Sequence, residues 1–175
     1  VEIIENGIKI LVDYQSGHKT GFYLDQSSNR KKLSEYSKGR TILNCFSYSG
    51  GFGLAALKGG AEIVVNADSS KPALDLADKN FIGNGFEKNR YELCREDVFA
   101  LLRKYSAEGR KFDIVILDPP KFADSAHSVN KAARGYKDIA MLAFRILNPG
   151  GYLFNFSCSG HISAELFQKI TADAA

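Results

Sequence analysis

The pattern of apolar and polar positions changes once along the chain. Residues 2–14 hold two short β-prone runs joined by Asn6-Gly7, a dipeptide that predicts a hairpin because both turn positions need positive φ. Further on, apolar runs typical of buried strands alternate with longer segments of helical period. We therefore divide the chain into residues 1–39, a hairpin and a basic helical segment that pack on the core, and residues 40–175, the core itself.

The alternation in the second part predicts a mainly parallel sheet with helices on both faces. Strands are expected at 41–46, 62–67, 91–94, 112–117 and 151–157, and helices at 52–58, 70–83, 97–106, 136–147 and 161–174. The common strand order for such a sheet is 3-2-1-4-5, and ligands bind beyond the carboxyl ends of the strands where the order reverses. Residues that follow each strand are therefore the candidates for chemistry.

Composition narrows the class of protein. The chain has 175 residues, 45% of them apolar, which fits one globular domain. No apolar run approaches the ~20 residues of a membrane span, and no secretory leader opens the chain. Three cysteines fit a reducing cytoplasm better than a disulfide framework, and a formal charge of +3 is a weak signal for nucleic acid. Because the chain begins without methionine and stops inside a helical pattern, we expect a fragment; we assign no metal site.

A glycine-rich segment follows the first strand of the core. In "NCFSYSGGFG", from Asn44 to Gly53, the glycines let the backbone pass close to a ligand and turn into a helix whose N-terminal amides face it. The spacing is not G-x-G-x-x-G, and a plain turn between strand and helix has the same composition.

Carboxylates end the next two strands. Asp68 can accept hydrogen bonds from two ribose hydroxyls, and Asp97 can meet an amine of a cofactor base. Either residue could instead cap the helix that follows it. Together with the glycine-rich segment, the two acids favour a nucleoside-bearing cofactor, but they do not separate a dinucleotide from S-adenosylmethionine.

An acidic corner follows the fourth strand, in "LDPPKF". Pro119 and Pro120 stop the strand and fix the backbone where the carboxylate of Asp118 leaves the sheet. Asp118 could hold the polar edge of a planar base, while Pro119 and Phe122 offer flat apolar surface for a base out of its stack. The same residues also occur as a plain strand terminator.

A cysteine between two serines follows the fifth strand, in "NFSCSG". Side-chain alternation brings Cys158 out beside Asp118, ahead of a helix that we expect to begin near His161. A thiolate can add to C6 of cytosine and so make C5 able to attack a methyl group, after which deprotonation and elimination restore the ring. Cys158 is thus a candidate nucleophile, with a small buried side chain as the alternative; burial is the expectation for Cys45 and Cys94.

Five segments together resemble a known family. "DYQSGHKTGFYLDQ", "LNCFSYSGGFG", "LDPPKF", "RGYKDI" and "FSCSG" are similar to segments of the bacterial large-subunit ribosomal RNA cytosine-C5-methyltransferases, a class I S-adenosylmethionine-dependent group. The resemblance implies a Rossmann-like class I methyltransferase fold, S-adenosylmethionine as cofactor, ribosomal RNA as substrate and a cytoplasmic location. It implies Cys158 and Asp118 as catalytic residues and substrate contacts from Pro119, Pro120, Lys121 and Phe122. The implied cofactor-binding residues are Phe22, Gln26, Asn44, Phe46, Ser47, Tyr48, Gly50, Gly51, Asp68, Ser69, Asp97, Val98 and Asp118.

Three features depart from the family pattern. Many RNA cytosine-C5-methyltransferases have a second cysteine directly after the Asp-Pro-Pro segment, where this chain has Lys121, so the group that assists elimination is not identified. The family's small N-terminal RNA-binding domain is not in the chain, and its sheet usually closes with two strands that would follow Ala175. We therefore expect the chain to keep cofactor contacts and to bind RNA poorly.

Other functions fit parts of the pattern. A methyltransferase acting on a guanine nitrogen would use Asp118 and the prolines without the thiol. A nicotinamide-dependent oxidoreductase would use the same sheet, although the glycine spacing is wrong for it. A non-catalytic RNA-binding module would use basic residues that a solvated helix face explains as well. These residues are Arg30, Lys31, Lys32, Lys131, Arg134 and Lys137. A Cys158–His161 hydrolase pair lacks a visible oxyanion loop.

Overall fold

A hairpin and a five-stranded sheet make up the fold, in a computed structural model that describes residues 1–14, 21–122 and 128–175. Part of the first segment that resembles the family, residues 15–20, lies outside the described residues. The strands are β1 (Glu2–Glu5), β2 (Ile8–Leu11), β3 (Thr41–Cys45), β4 (Ile63–Asp68), β5 (Tyr91–Arg95), β6 (Phe112–Leu117) and β7 (Leu147–Asn155). The helices are α1 (Ser27–Tyr36), α2 (Gly51–Lys58), α3 (Lys71–Gly83), α4 (Val98–Glu108), α5 (Val129–Arg145) and α6 (Ala164–Ala172).

The strand order in the sheet is β5-β4-β3-β6-β7, and every neighbouring pair is parallel. This confirms the predicted order, in which the fourth core strand lies beside the first. Cys45 at the end of β3 pairs with Leu117 at the end of β6. The glycine-rich segment and the Asp-Pro-Pro corner therefore leave the sheet side by side, at the point where the strand order reverses.

Helices cover both faces of the sheet, as predicted. On one face, α1, α2, α3 and the hairpin bury Leu33, Leu54 and Phe81 against the strands. On the other face, α4 and α5 bury Leu101 and Ile139. Successive residues of each strand point to opposite faces, so the strands are apolar on both sides.

The hairpin is bonded to the core through α3. Its turn residues Asn6 and Gly7 have positive φ, 49° and 73°, as predicted. Asn80 of α3 accepts the N–H of Leu11 at 2.7 Å and donates to the carbonyl of Ser49 at 3.0 Å. One buried side chain thus joins the hairpin to the glycine-rich loop. The division of the chain after residue 39 stays a prediction.

The start of the last strand was predicted wrongly. β7 begins at Leu147, not at residue 151, because the "NPGG" segment belongs to the strand. Phe112 pairs with Leu147 and Ile114 with Tyr152, so the extra residues form a bulge. Proline and glycine are tolerated in such a bulge on an edge strand, and the sequence pattern of a helix stop conceals it.

Two helix limits were also wrong. α5 begins at Val129 rather than at residue 136, and it ends at Arg145. α6 begins at Ala164 instead of near His161, because the Ser163 side chain caps it by accepting the N–H of Leu166.

Candidate active site

The loop between β3 and α2 has an unusual backbone. Phe46 and Tyr48 have positive φ, 58° and 47°, and Gly50, with φ 81°, is the N-cap of α2. The N–H of Ser47 donates to a β4 carbonyl at 3.0 Å, and the N–H of Tyr48 donates to Oδ2 of Asp68 at 2.9 Å. Non-glycine residues adopt positive φ at an energetic cost, and such strain clusters at functional sites.

Close packing accounts for the glycines of this loop. A Cβ at Gly53 would lie 2.3 Å from Oδ1 of Asn66, and a Cβ at Gly51 would lie 3.2 Å from the ring of Phe22. Small residues are therefore required for α2 to pack on its neighbours. The expectation that the same glycines admit a ligand stays a prediction.

Two buried polar atoms at this loop have no hydrogen-bond partner among the described residues. Asn44 is only 1% exposed, and its amide donates to Asn66 at 3.0 Å, which leaves its Oδ1 unpaired. Oγ of the buried Ser47 is unpaired as well. A buried polar atom left unsatisfied costs about 1–3 kcal/mol, so such atoms in a strained loop fit a site that binds a polar group.

The acids after β4 and β5 have different local roles. Oδ2 of Asp68 accepts the N–H of Tyr48 and Oδ1 accepts the N–H of Ser70, both at 2.9 Å. Asp68 thus joins two loops and does not cap α3, whose N-cap is Ser70. Asp97 caps α4 by accepting the N–H of Ala100 at 2.9 Å, which was the alternative reading of this residue.

The neighbours of these acids differ in exposure. Ser69, next to Asp68, is exposed, whereas the side chain of Val98 is buried in the core beneath α4. The side chain of Val98 is therefore not available to a ligand.

Arg30 is buried rather than exposed to RNA. Its guanidinium is paired with Glu5 through two hydrogen bonds of 2.6 and 2.7 Å, and it lies 4.4 Å from the ring centroid of Phe22. Arg30 is 3% exposed. Both readings of Arg30 from the sequence, an RNA-binding residue and part of a solvated helix face, were therefore wrong, because an acid from the hairpin neutralises it in the interior.

Asp118 contacts the N-terminal segment where β6 ends. Nε2 of Gln26 donates to Oδ1 of Asp118 at 3.3 Å, and the amide of Asn29 donates to Oε1 of Gln26 at 2.6 Å. Burial, and then the charge of Asp25, raise the pKa of Asp118 to about 6 against the opposing influence of Arg30 and Gln26. The carboxylate thus titrates close to neutrality, as groups at functional sites often do.

Cys158 lies next to this corner. Its Sγ is 3.7 Å from the carbonyl oxygen of Pro119, and the residue is exposed. Cys45 is buried and Cys94 partly buried, and burial raises the pKa of both thiols. Cys158 is therefore the accessible thiol of the three. The alternation argument that placed it was wrong, because β7 ends at Asn155 rather than at residue 157 and Cys158 lies in the loop that follows.

The residues after Asp118 are not equally available to a substrate. Pro119 is buried, so its ring is not the flat surface that the sequence suggested. Pro120 and Lys121 are exposed, and Phe122 is partly buried with its ring centroid 4.7 Å from that of Tyr136. Lys121 stands where many RNA cytosine-C5-methyltransferases have the second cysteine.

Two tyrosines near the thiol were missed from the sequence. Burial, and then the charges of Cys158 and Asp118, raise the pKa of Tyr23. The hydroxyl of Tyr136 bonds to both serines beside Cys158. The only sequence signal for either tyrosine was its place inside a segment that resembles the family.

Residues 1–14, 21–122 and 128–175 contain neither a cluster of metal ligands nor a membrane-spanning helix. No three histidine, cysteine, aspartate or glutamate side chains in these ranges lie together as metal ligands would. No helix in the same ranges has the length and apolar character needed to cross a bilayer.

Comparison with known families decides the class of protein. Residues 1–175 match the family described as S-adenosylmethionine-dependent methyltransferase. The chain belongs to this family. Its cofactor is S-adenosylmethionine, and the unpaired atoms of Asn44, near the end of β3, and of Ser47, in the loop that follows, lie at the carboxyl end of the sheet, where such folds bind ligands.

Curated relatives match the chain along its full length. Proteins of Aeromonas salmonicida (strain A449) and Aliivibrio fischeri (strain ATCC 700601 / ES114), both named ribosomal RNA large subunit methyltransferase I, are 58% and 59% identical to it over 175 residues. The match covers 100% of this chain but 44% of each relative. The chain thus spans less than half the length of the curated relatives it matches.

Solved structures agree with the fold. A putative SAM-dependent methyltransferase from Streptococcus mutans is 28% identical with a TM-score of 0.89, and it covers 99% of this chain and 45% of its own. A putative methyltransferase solved in complex with SAH is 29% identical with a TM-score of 0.89, over 99% of this chain and 46% of its own. The Rossmann-like class I methyltransferase fold predicted from the sequence is confirmed.

Proposed function

We propose that the protein transfers a methyl group from S-adenosylmethionine to C5 of a cytosine in large-subunit ribosomal RNA. The name shared by the curated relatives supports the RNA substrate. The assignment to C5 of cytosine rests on one observation, the exposed thiol of Cys158 at 3.7 Å from the backbone of the Asp-Pro-Pro corner. Methylation of a guanine nitrogen would need no nucleophile there.

Four residues would hold the cofactor. Asp68 accepts one N–H on each oxygen, so a lone pair on each remains for the ribose hydroxyls. Oδ1 of Asn44 and Oγ of Ser47 would gain the partners they lack within the described residues. Asp97 would meet the adenine amine with the oxygen that does not cap α4. When bound, the cofactor supplies an electrophilic methyl group on its sulfonium sulfur.

Cys158 and Asp118 would divide the chemistry between them. The thiolate of Cys158 would form a bond to C6 of cytosine, and the electrons of the C5–C6 double bond would form the bond from C5 to the methyl carbon while the bond from that carbon to sulfur breaks and S-adenosylhomocysteine leaves. A base then removes the proton from C5, the bond between C6 and sulfur breaks, and the thiolate is restored. Asp118, ionised above about pH 6, accepts a hydrogen bond from the exocyclic amine and holds the ring over the thiol.

The RNA would approach along α5, and the protein would act in the cytoplasm. Lys131 and Arg134 are exposed on this helix, which packs against the loop that carries Cys158 through Tyr136. Exposed cations near the thiol suit a phosphate backbone and would make binding salt-dependent.

The experiment that tests the proposal compares the full-length wild-type protein with Cys158→Ala and with Cys94→Ala as a matched control. Each is incubated with unmodified large-subunit RNA and labelled S-adenosylmethionine, and the nucleosides are identified by mass spectrometry. We expect 5-methylcytidine from the wild type and from Cys94→Ala, and none from Cys158→Ala. Methylguanosine as the product would overturn the proposal and indicate a guanine-nitrogen methyltransferase. Methylation by Cys158→Ala would overturn it as well, because the thiol would then not be needed.

A further inference from the structure

The hydroxyl of Tyr136 lies at the junction of three segments. Tyr136 is fully buried in α5, and its Oη is 3.0 Å from Oγ of Ser159 and 3.0 Å from Oγ of Ser157. These two serines immediately precede and follow Cys158. A single phenol hydroxyl therefore holds the chain on both sides of the thiol.

The hydrogen bonds of this cluster join hydroxyl and backbone groups of three segments. Ser157 donates to Oη of Tyr136, and Oη forms a second hydrogen bond with Oγ of Ser159, in which either hydroxyl can be the donor. Oγ of Ser159 also accepts the N–H of Phe122 at 3.3 Å, and Oγ of Ser157 accepts the N–H of Ser159 at 3.3 Å. The segment that follows Asp118 and the loop that carries Cys158 are thus bonded to each other through hydroxyl groups.

The ring of Tyr136 is held independently of its hydroxyl. The ring centroid is 4.7 Å from that of Phe122 and 5.3 Å from that of Phe167, the latter at an interplanar angle of 86°. These contacts remain in Tyr136→Phe. That substitution therefore removes one oxygen atom while the aromatic packing of α5 and α6 is retained.

We propose that Tyr136 is a positioning residue for the Cys158 thiol. By fixing Ser157 and Ser159, it holds Sγ next to Pro119 and so at a set distance from Asp118. A nucleophile and a base-holding carboxylate that act on one ring must keep this distance during the reaction, because small displacements of reacting groups lower the rate strongly. The effect on methylation rests on the proposed function; the effect on the thiol itself does not.

The first test measures methylation by full-length Tyr136→Phe. We expect kcat to fall by about tenfold or more while KM for S-adenosylmethionine stays within about twofold, because the cofactor loop is not touched. Tyr91→Phe is the matched control, since it removes another buried tyrosine hydroxyl, one that donates to Asp78. An unchanged kcat in Tyr136→Phe, or a loss confined to KM, would overturn the proposal.

A matched pair of substitutions at Ser157 separates the effect of losing the hydroxyl from the effect of a larger side chain. Threonine and valine have nearly the same shape, but only threonine keeps the donor to Tyr136. Ser157→Thr should keep most of the activity, and Ser157→Val should lose about as much as Tyr136→Phe. The double variant Tyr136→Phe with Ser157→Val should lose less than the sum of the two single losses, because both substitutions remove the bond between Ser157 and Tyr136. Equal activities of the Thr and Val variants, or additive losses, would contradict the proposal.

The second test needs no RNA and is independent of the proposed function. Sγ of Cys158 is held against the carbonyl oxygen of Pro119, so release of the loop should make the thiol more accessible and speed its alkylation by iodoacetamide at neutral pH about threefold or more. Peptide mass spectrometry measures the alkylation of Cys158 separately from that of buried Cys45, which must remain unalkylated if the fold is intact. Faster alkylation in Tyr136→Phe and Ser157→Val but not in Ser157→Thr supports the positioning role even if Cys158 proves dispensable for methylation. Unchanged alkylation, or exposure of Cys45, overturns it.

Discussion

The side-chain amide of Gln26 donates to Oδ1 of Asp118 at 3.3 Å, and this bond joins residues 92 positions apart in the chain. Asn29 sets the orientation of the amide, because its own amide donates to Oε1 of Gln26 and leaves Nε2 facing the acid. The donated hydrogen bond favours the carboxylate, whereas burial and the charge of Asp25 favour the protonated acid. The N-terminal segment therefore acts on the pKa of Asp118 in both directions, through the charge of Asp25 and through the hydrogen bond from Gln26.

Replacement of Asp118 by asparagine should stabilise the protein in a pH-dependent manner. Because folding raises the pKa of Asp118 from 3.8 to about 6, stability is lost as pH rises through this range and stays lower above it. We expect Asp118→Asn to exceed the wild type by on the order of 2 kcal/mol at about pH 7.5 and to match it near about pH 4. Urea unfolding at both pH values measures the difference, with exposed Asp138→Asn as the control. A gain of the same size at both pH values would show that ionisation is not its cause.

Loss of the Glu5 side chain should weaken the attachment of the hairpin. Burial alone would raise the pKa of Glu5, but the hydrogen bonds from Arg30 and Ser27 and the charge of Arg30 outweigh it and lower the pKa. The ion pair therefore stabilises the fold fully at pH values above the ordinary pKa of a glutamate, and this stabilisation is lost as pH falls through the lowered pKa. Glu5→Ala leaves the buried Arg30 unpaired and should cost about 3–5 kcal/mol in unfolding free energy.

The control for this prediction is Glu35→Ala, which breaks the exposed ion pair with Lys32. Exposed pairs contribute about 0–1 kcal/mol, so little change is expected. Similar losses in the two variants would mean that the burial of the Arg30 pair is unimportant.

Gly53→Ala should destabilise the protein although alanine favours helices. The added Cβ would lie 2.3 Å from Asn66 and 2.9 Å from Phe81, and overpacking of this kind costs about 1–3 kcal/mol. At Gly83, in the last turn of α3, a Cβ meets nothing within 4 Å, so Gly83→Ala should stabilise by about 0.4–1 kcal/mol. Thermal unfolding of the pair tests the opposite signs. A neutral Gly53→Ala would argue against the close approach of α2 to β4.

Asp68→Ala should weaken binding of S-adenosylmethionine more than Asp97→Ala does. Asp68→Ala removes the acceptor proposed for the ribose and releases the N–H of Tyr48, and we expect a loss of about tenfold or more in affinity. Asp97→Ala removes a helix cap and should cost about 1 kcal/mol of stability with a smaller effect on affinity. Isothermal titration calorimetry measures both, with exposed Asp75→Ala as the control. Unaltered affinity in Asp68→Ala would remove this residue from the cofactor site.

The fold was predictable because its signals are local. Short apolar runs identify the core strands, a period of about 3.6 residues identifies the helices, and Asn6-Gly7 identifies the hairpin, all without any tertiary information. The strand order then brings Cys158 and the Asp-Pro-Pro corner to neighbouring strand ends. The bulge in β7 was missed because Pro149 and Gly150 also mark the end of a helix.

Contacts between distant parts of the chain were not predictable in the same way. Arg30 lies in a basic run and so resembles a surface residue, but its partner Glu5 comes from the hairpin. The bonds of Tyr136 to the serines beside Cys158 depend on how α5 packs on the sheet. Neither arrangement has a period or a spacing that a sequence pattern could record.

The most direct measurement of the central claim uses RNA that contains 5-fluorocytidine at the target site. After thiolate addition and methyl transfer, the fluorine on C5 cannot be removed as a proton would be, so the bond between Cys158 and C6 is not released. With S-adenosylmethionine present, the account predicts a denaturant-resistant complex of the full-length protein and RNA, with the adduct on Cys158 in the peptide mass spectrum and no complex from Cys158→Ala. Turnover without any trapped complex, or a complex that also forms with Cys158→Ala, would contradict the covalent mechanism.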